Sequence, residues 1–188
     1  LAVSFVRQAA DVEEARTLLK AAGSDARIVA KIERSEAIPR LEEIIKASDA
    51  VMVARGDLGV EVGYAQLTGL QKQILHMARS LDRVTITATQ MMESMIHSPV
   101  PTRAEVSDVA NAVLDGSDAV MLSGETAAGK YPIESVKTMD RIIRRIEQTE
   151  TFWLEAPEAM QLGHTTNAVA RAAVISSRSL PDCKGIIC

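Results

Sequence analysis

The chain has 188 residues, of which 47% are apolar and 24% charged, and carries a net charge of −4. That balance excludes a disordered or fibrous chain, and with no basic cluster it argues against nucleic-acid and anionic-membrane partners. Aromatic residues make up only 3%, so the core must be built from Val, Ile, Leu, Ala and Met, which suits parallel strands buried on both faces. The two cysteines, Cys183 and Cys188, have no second ligand pair to make a zinc site. A disulfide scaffold is not expected either, which makes a reducing cytoplasm the expected location. No apolar run reaches membrane-spanning length.

Strand and helix signals alternate along the chain. An apolar run at Ala2–Val6 predicts the first strand. Helical spacing follows over Asp11–Ala22, with Val12, Ala15, Leu18 and Leu19 on one face, Asp11 as N-cap and Gly23 as C-cap. A second strand is predicted at Ile28–Ile32, then a helix over Pro39–Ala47. The third strand, Ala50–Ala54, precedes a helix over Leu67–Leu81 with Leu70, Ile74, Leu75 and Ala78 inward. The fourth, Val84–Ala88, precedes a helix over Thr102–Leu114 that ends near Gly116. The fifth, Ala119–Leu122, precedes a longer, more charged helix over Pro132–Thr149.

Repeated βα units with short connections predict an α/β fold with a parallel sheet. No Gly-rich dinucleotide loop accompanies them, so part of a (β/α)8 barrel fits better than a Rossmann sheet. A whole barrel takes eight strands and about 250 residues, more than this chain supplies. The pattern breaks from Thr149 to Gly163, where Phe152, Trp153, Pro157 and Gly163 read as a linker. A helix over Thr165–Ser179 and a strand beginning at Gly185–Cys188 then read as the start of a second α/β domain. The expected division is residues 1–148 in the barrel, 149–163 in the linker and 164–188 in that second domain. The chain opens inside one strand pattern and closes inside another, as an excerpt from a longer protein would.

In a barrel, function gathers where the strands end. Lys31 and Glu33 are two apart at the end of the second strand and so share a face. They read either as a surface ion pair or as a catalytic cation beside a metal-binding carboxylate. The third strand ends in Arg55-Gly56-Asp57-Leu58-Gly59. If Gly56 and Asp57 open a helical turn, its backbone N–H groups can bind an anion; otherwise Asp57 is an N-cap. Glu33 and Asp57 end neighbouring strands and can converge on one Mg²⁺, an ion commonly held by one or two carboxylates, substrate oxygens and waters. Thr85, Thr87 and Thr89 line one face of the fourth strand. Strand packing explains the first two, while Thr89, at the C-terminal end, is a candidate for substrate contact. Ser123 ends the fifth strand at equivalent depth. None of the three histidines, His76, His97 and His164, ends a strand, so a serine nucleophile with a histidine base is not expected. Ser4 and Arg7 follow the first strand, with Arg7 either meeting a phosphate or simply solvated. Met91, Met92 and Met95 have helical spacing and read as core.

Several blocks resemble the pyruvate kinase family, of the bacterial type. Residues 28–38, IVAKIERSEAI, resemble its active-site signature. MVARGDLGVE at 52–61, TATQMMESM at 87–95, and PTRAEVSDVANAVLDGSDAVMLSGETAA at 101–128 follow in the same order, and Ser4-Phe5-Val6-Arg7 also fits. The resemblance implies strands four to eight of the family's (β/α)8 barrel and the start of its C-terminal α/β domain. Strands one to three and the inserted lid would lie elsewhere, and the isolated fragment would be inactive. The implied reaction transfers the phosphoryl group of phosphoenolpyruvate to ADP, giving pyruvate and ATP in the last step of glycolysis. Lys31 would stabilise the transferring group, and Glu33 and Asp57 would hold Mg²⁺, with Mn²⁺ as an alternative. Gly56 and Asp57 N–H groups would bind the substrate carboxylate with help from Thr89, and Ser4 would lie near the phosphate. Thr89 and Ser123, with waters, would lie near the enolate carbon. A threonine hydroxyl is a poor acid alone, which leaves a water relay as an alternative proton source. The resemblance further implies K⁺, whose ligands lie outside this chain, and a homotetramer.

Two other readings compete. Another Mg²⁺-dependent barrel acting on pyruvate enolates, such as an aldolase or lyase, also uses an acidic pair at strand ends; Lys31 beside Glu33 and the Thr-Ala-Thr-Gln block favour the kinase. A non-enzymatic interaction module is the third reading, against which stand two open sheet edges.

Overall fold

The computed structural model describes residues 1–149 and, beyond them, Val169, Ala170, Ala172, Ala173 and Ser176. The chain divides into two compact units, Leu1–Phe152 and Trp153–Cys188. In the second, the five described residues are helical, inside the helix expected over Thr165–Ser179. The strand expected at Gly185–Cys188, and the linker beyond Thr149, lie outside the described residues.

In the first unit β1 (Ala2–Val3), β2 (Val29–Ile32), β3 (Ala50–Ala54), β4 (Val84–Ala88) and β5 (Ala119–Met121) form one parallel sheet in chain order. A doubly wound sheet reverses its order at a switch point, whereas a barrel wall adds its strands in sequence. The observed order is that of a barrel wall. Val29 pairs with Ala50, Ala54 with Ala88 and Ala88 with Met121, so the strands finish close to one level. Val51, Val53, Ala54, Thr85, Thr87 and Ala88 are all buried, which is why these runs are apolar and β-branched rather than alternating. Among the described residues no helix is long and apolar enough to cross a membrane.

The helices are α1 (Ala9–Ala21), α2 (Leu41–Ala47), α3 (Arg55–Val62), α4 (Tyr64–Ser80), α5 (Arg103–Leu114), α6 (Gly124–Ala127) and α7 (Pro132–Glu147). One apolar cluster joins β1–β3 to α1, α2 and α4 through Val12, Ile44, Ile45, Ile74 and Leu75. A second is built by Met91, Met92 and Met95, with Val109, Ala112, Met139 and Ile142 of α5 and α7, so the three methionines are core, as expected.

Several boundaries differ from expectation, each for a local reason. β1 stops at Val3 rather than Val6 because Phe5 takes a left-handed φ of +57°. Gln8, not Asp11, caps α1; Asp11 lies in the first turn, where its carboxylate accepts the Arg7 N–H at 2.8 Å. Gly23 follows the end of α1 with φ +71°, the left-handed stop that glycine permits. The segment expected as a helix from Pro39 begins as a 3₁₀ turn over Ser35–Arg40, and the α-helix starts only at Leu41. α4 begins at Tyr64, and α3 and α6 are additional. β5 ends one residue before Leu122.

The segment between β4 and α5 is fastened by Glu105. Thr102 and Glu105 form a reciprocal capping box at the start of α5. Glu105 also accepts the Ser94 N–H at 2.7 Å and the Ser94 hydroxyl at 2.5 Å. Partial burial pushes this carboxyl up, but the bonds from Ser94 and Thr102 outweigh it and hold it below the ordinary value of 4.5. A depressed folded value means that the unfolded chain binds the proton more readily, so this stabilisation is present above pH 4.5 and lost as the pH falls through the folded value. Glu105→Gln should therefore lower the urea midpoint at pH 7, and the gap to the parent protein should narrow as the pH falls below 4.5. A gap constant with pH would contradict this account.

Candidate active site

At the C-terminal edge of the sheet the side chains following β1 and β2 meet first. Val3 pairs with Ala30, which sets Ser4 beside Lys31. Lys31 Nζ donates to Ser4 Oγ at 3.1 Å and forms an ion pair with Glu33. The Lys31 side chain is 24% exposed and that of Glu33 only 1%. This is therefore no surface ion pair: a buried carboxylate has one partner that remains open to a ligand. The second Glu33 oxygen accepts the Phe5 N–H at 2.8 Å. The left-handed turn that ends β1 is thus what delivers a donor to Glu33.

β3 runs directly into α3, whose first residues are Arg55, Gly56 and Asp57. The expected helical turn is present. Ala54, rather than Asp57, is the N-cap, with no side-chain cap. Gly56 N–H donates to Thr89 Oγ1 at 2.7 Å, and the Thr89 hydroxyl donates to the Ala88 carbonyl at 2.7 Å. A Cβ on Gly56 would stand 3.4 Å from Thr89 Oγ1, an ordinary van der Waals contact. Asp57 is exposed. Its carboxylate has no hydrogen-bond or ion-pair partner among the described residues.

Ser123 is the N-cap of α6. Its N–H donates at 2.8 Å to Glu125, whose other oxygen accepts the Met92 N–H at 3.1 Å. Glu125 is 3% exposed. The turn after β5 is thereby tied to the segment after β4, two residues beyond Gln90. Thr85 and Thr87 are buried and spend their hydroxyls on Asp118 and Ser117, the structural role expected of them. Arg7 is exposed and paired with Asp11, a solvated arginine. His76 lies within α4 and His97 follows the turn Glu93–Ile96, so neither ends a strand.

The site residues thus fall into two bonded groups, Ser4–Lys31–Glu33 and Gly56–Thr89. Arg34 and Ser35, just past β2, tie the first group to α3 by reaching Glu61 at 3.3 Å and 3.1 Å. Arg34 also bonds Glu36 and holds that carboxyl below its usual value. Among the described residues no three His, Cys, Asp or Glu side chains converge. A cation here would rest on two carboxylates and on oxygens brought by the ligand. Glu33 and Asp57 supply the all-oxygen donor set that Mg²⁺ takes, which waters and substrate oxygens complete.

Residues 1–136 match the family model described as "Pyruvate kinase, barrel domain". The chain belongs to the pyruvate kinase family. It is 53% identical over 191 residues to a pyruvate kinase of Buchnera aphidicola subsp. Baizongia pistaciae, and 52% identical over 191 residues to pyruvate kinase II of Salmonella typhimurium. In both cases all of this chain and 40% of the relative are covered. A pyruvate kinase of Buchnera aphidicola subsp. Schizaphis graminum is 62% identical over 155 residues, covering 81% of this chain and 32% of its own length. The matched part of the chain therefore spans 32–40% of the length of these pyruvate kinases.

Two side chains at this edge carry no sequence expectation. Arg55 is 7% exposed on its side chain. It donates from Nη2 to the carbonyls of Thr89 and Gln90 at 3.0 Å each, and from Nε to Thr89 at 3.2 Å. Nη1 meets Asp108 of α5 at 2.7 Å. The signal available was an arginine directly after a fully apolar strand. Glu125 is the other, a carboxylate one residue into a short helix. Replacing Glu125 by Gln turns one acceptor into an NH₂ facing a backbone N–H. Leaving such a buried donor unsatisfied costs about 1–3 kcal/mol. Glu125→Gln should lower the unfolding free energy by that amount in a urea titration, and an unchanged midpoint would show that the tie between the two turns carries no weight.

Proposed function

We propose that residues 1–148 form strands four to eight of a (β/α)8 catalytic barrel and that the complete protein is a pyruvate kinase. In this reading it transfers the phosphoryl group of phosphoenolpyruvate to ADP, giving pyruvate and ATP. The observation that carries the reading is the buried Glu33 carboxylate paired to a partly open Lys31 at a parallel-strand end, in a chain of this family. Phosphoryl transfer asks little covalent chemistry of a protein; it asks for positioning and for positive charge at the moving group. Lys31 is built for that. Its ammonium is a compact charge on a flexible stem, held by Glu33 and Ser4 and still reachable.

Glu33 and Asp57 would hold Mg²⁺, with Mn²⁺ as a substitute, and K⁺ would bind through residues outside this chain. When bound, the divalent cation supplies charge neutralisation on substrate oxygens. The N–H groups of Gly56 and Asp57 open α3 and would receive the substrate carboxylate, that of Gly56 exchanging its bond to Thr89 for the ligand. The Thr89 hydroxyl proton is committed to the Ala88 carbonyl, so Thr89 orients the substrate, and a water between Thr89 and Ser123 brings the proton to the enolate carbon. Ser4 lies beside Lys31 on the phosphate side. Residues 164–188 begin the C-terminal α/β domain after a linker over 149–163. The complete enzyme is a cytoplasmic homotetramer in this proposal.

Lys31→Met in the full-length protein should lower kcat by about 10²–10³-fold, the usual loss when one electrostatic stabiliser of a transition state is removed. The KM for phosphoenolpyruvate should change far less. Near-normal ATP formation in a coupled assay would remove Lys31 from this role. Glu33→Gln should raise the Mg²⁺ concentration required for half-maximal turnover, by about tenfold or more; an unchanged requirement would place the cation elsewhere.

A further inference from the structure

Thr89 and Gln90 are consecutive residues with left-handed backbone, φ +66° and +53°. Neither is glycine, and Thr89 is β-branched, the type least suited to that region. Such conformations cost on the order of 1–3 kcal/mol each and persist only where the surroundings impose them. The imposing group is Arg55. Its Nη2 donates to both carbonyls of the strained pair, its Nε donates again to Thr89, and its remaining fork meets Asp108. Nη2 also lies 3.0 Å from Met91 Sδ. The next residue after Arg55 is Gly56, whose N–H donates to the Thr89 hydroxyl oxygen at 2.7 Å. Arg55 thus grips the backbone of Thr89 while its neighbour grips the side chain.

We propose that Arg55 is a positioning residue for the substrate carboxylate, acting through Thr89. It holds the left-handed Thr89–Gln90 turn and thereby sets Thr89 Oγ1 against the N-terminus of α3. Asp108 orients the guanidinium from α5. The inference rests on the reading of Gly56, Asp57 and Thr89 as the carboxylate-binding group. A planar five-donor fork is required, because a lysine ammonium cannot reach two carbonyls in line and a carboxylate behind them. Without the fork the turn relaxes. A displacement of about 1 Å at such a site costs on the order of 10²-fold.

The experiment is a double-mutant cycle in the full-length protein, with Arg55→Lys, Thr89→Val and the two combined, read as KM for phosphoenolpyruvate, KM for ADP and kcat. Arg55→Lys is expected to raise the KM for phosphoenolpyruvate by about 10–100-fold, to leave the KM for ADP within about twofold, and to add nothing in the Thr89→Val background. Effects that multiply in the double variant would overturn the proposal. So would a fall in kcat with no change in either KM, which is the pattern of lost folded protein. Asp108→Asn keeps the four other Arg55 contacts and serves if Arg55→Lys does not fold. It must raise the same KM, and an unchanged value overturns the proposal. Lys31→Met separates the two failures. If it lowers kcat as expected while Arg55→Lys leaves the phosphoenolpyruvate KM untouched, this inference alone is wrong; if both leave activity intact, the reading of the site falls with it.

Discussion

The functional edge of the sheet depends on two buried charges that hold backbone where it would not otherwise stay. Glu33 accepts the N–H of a left-handed Phe5, and Arg55 donates to the carbonyls of a left-handed Thr89 and Gln90. Each left-handed residue costs about 1–3 kcal/mol. A hydrogen bond to a charged group contributes about 1.5–3 kcal/mol, so three bonds from one guanidinium outweigh two strained residues, and one bond to a carboxylate balances one. Among the described residues the remaining left-handed non-glycine residue, Asp82, lies in the turn after α4, an ordinary place for an aspartate. Among the described residues, strain held by buried charge lies at the edge where the strands end.

The opposite edge solves its polar problem with acids on strand-start N–H groups. Asp49 accepts the Ile28 N–H at 2.8 Å and pairs with Arg16, and the Ile28 bond, with the guanidinium behind it, keeps its carboxyl below the usual range. Asp118 accepts the Thr85 N–H at 2.8 Å. These contacts bind extended backbone at the strand starts rather than the backbone of a left-handed residue. One edge of the sheet is held by acids on extended strand starts, whereas at the other buried charges grip left-handed backbone beside Lys31, Gly56 and Thr89.

Period and composition were enough for the layers of the fold. The strands β2, β3 and β4 are nearly where the apolar runs place them, because a strand buried on both faces must be apolar throughout. The paired ends Lys31 and Glu33, Gly56 and Thr89 were legible for the same reason: a polar residue that interrupts such a run at its end stands out. Phe5 is not legible, since nothing in Ser4-Phe5-Val6 announces a left-handed residue, and the apolar run extends three residues past the observed strand. The role of Arg55 is not legible, because arginine is normally solvated and its burial depends on carbonyls more than thirty positions away. Glu125 was missed likewise, its two partners being backbone N–H groups that carry no sequence signature. Local pattern reveals which residues reach the edge, while long-range bonds to backbone decide how they are held there.

The two ion pairs of the edge also divide the work by their chemistry. Arg55 spends its fork on two carbonyls and Asp108, so its charge is saturated and serves as a strut. Lys31 meets one carboxylate and one hydroxyl and stays a quarter exposed, so its charge is balanced but not consumed. Burying the Glu33 carboxylate costs several kcal/mol unless its partner stays in place, which keeps Lys31 at the edge without enclosing it. An anion arriving there finds a cation already desolvated on one side and fixed in direction, the condition under which charge stabilises a transition state at little reorganisation cost.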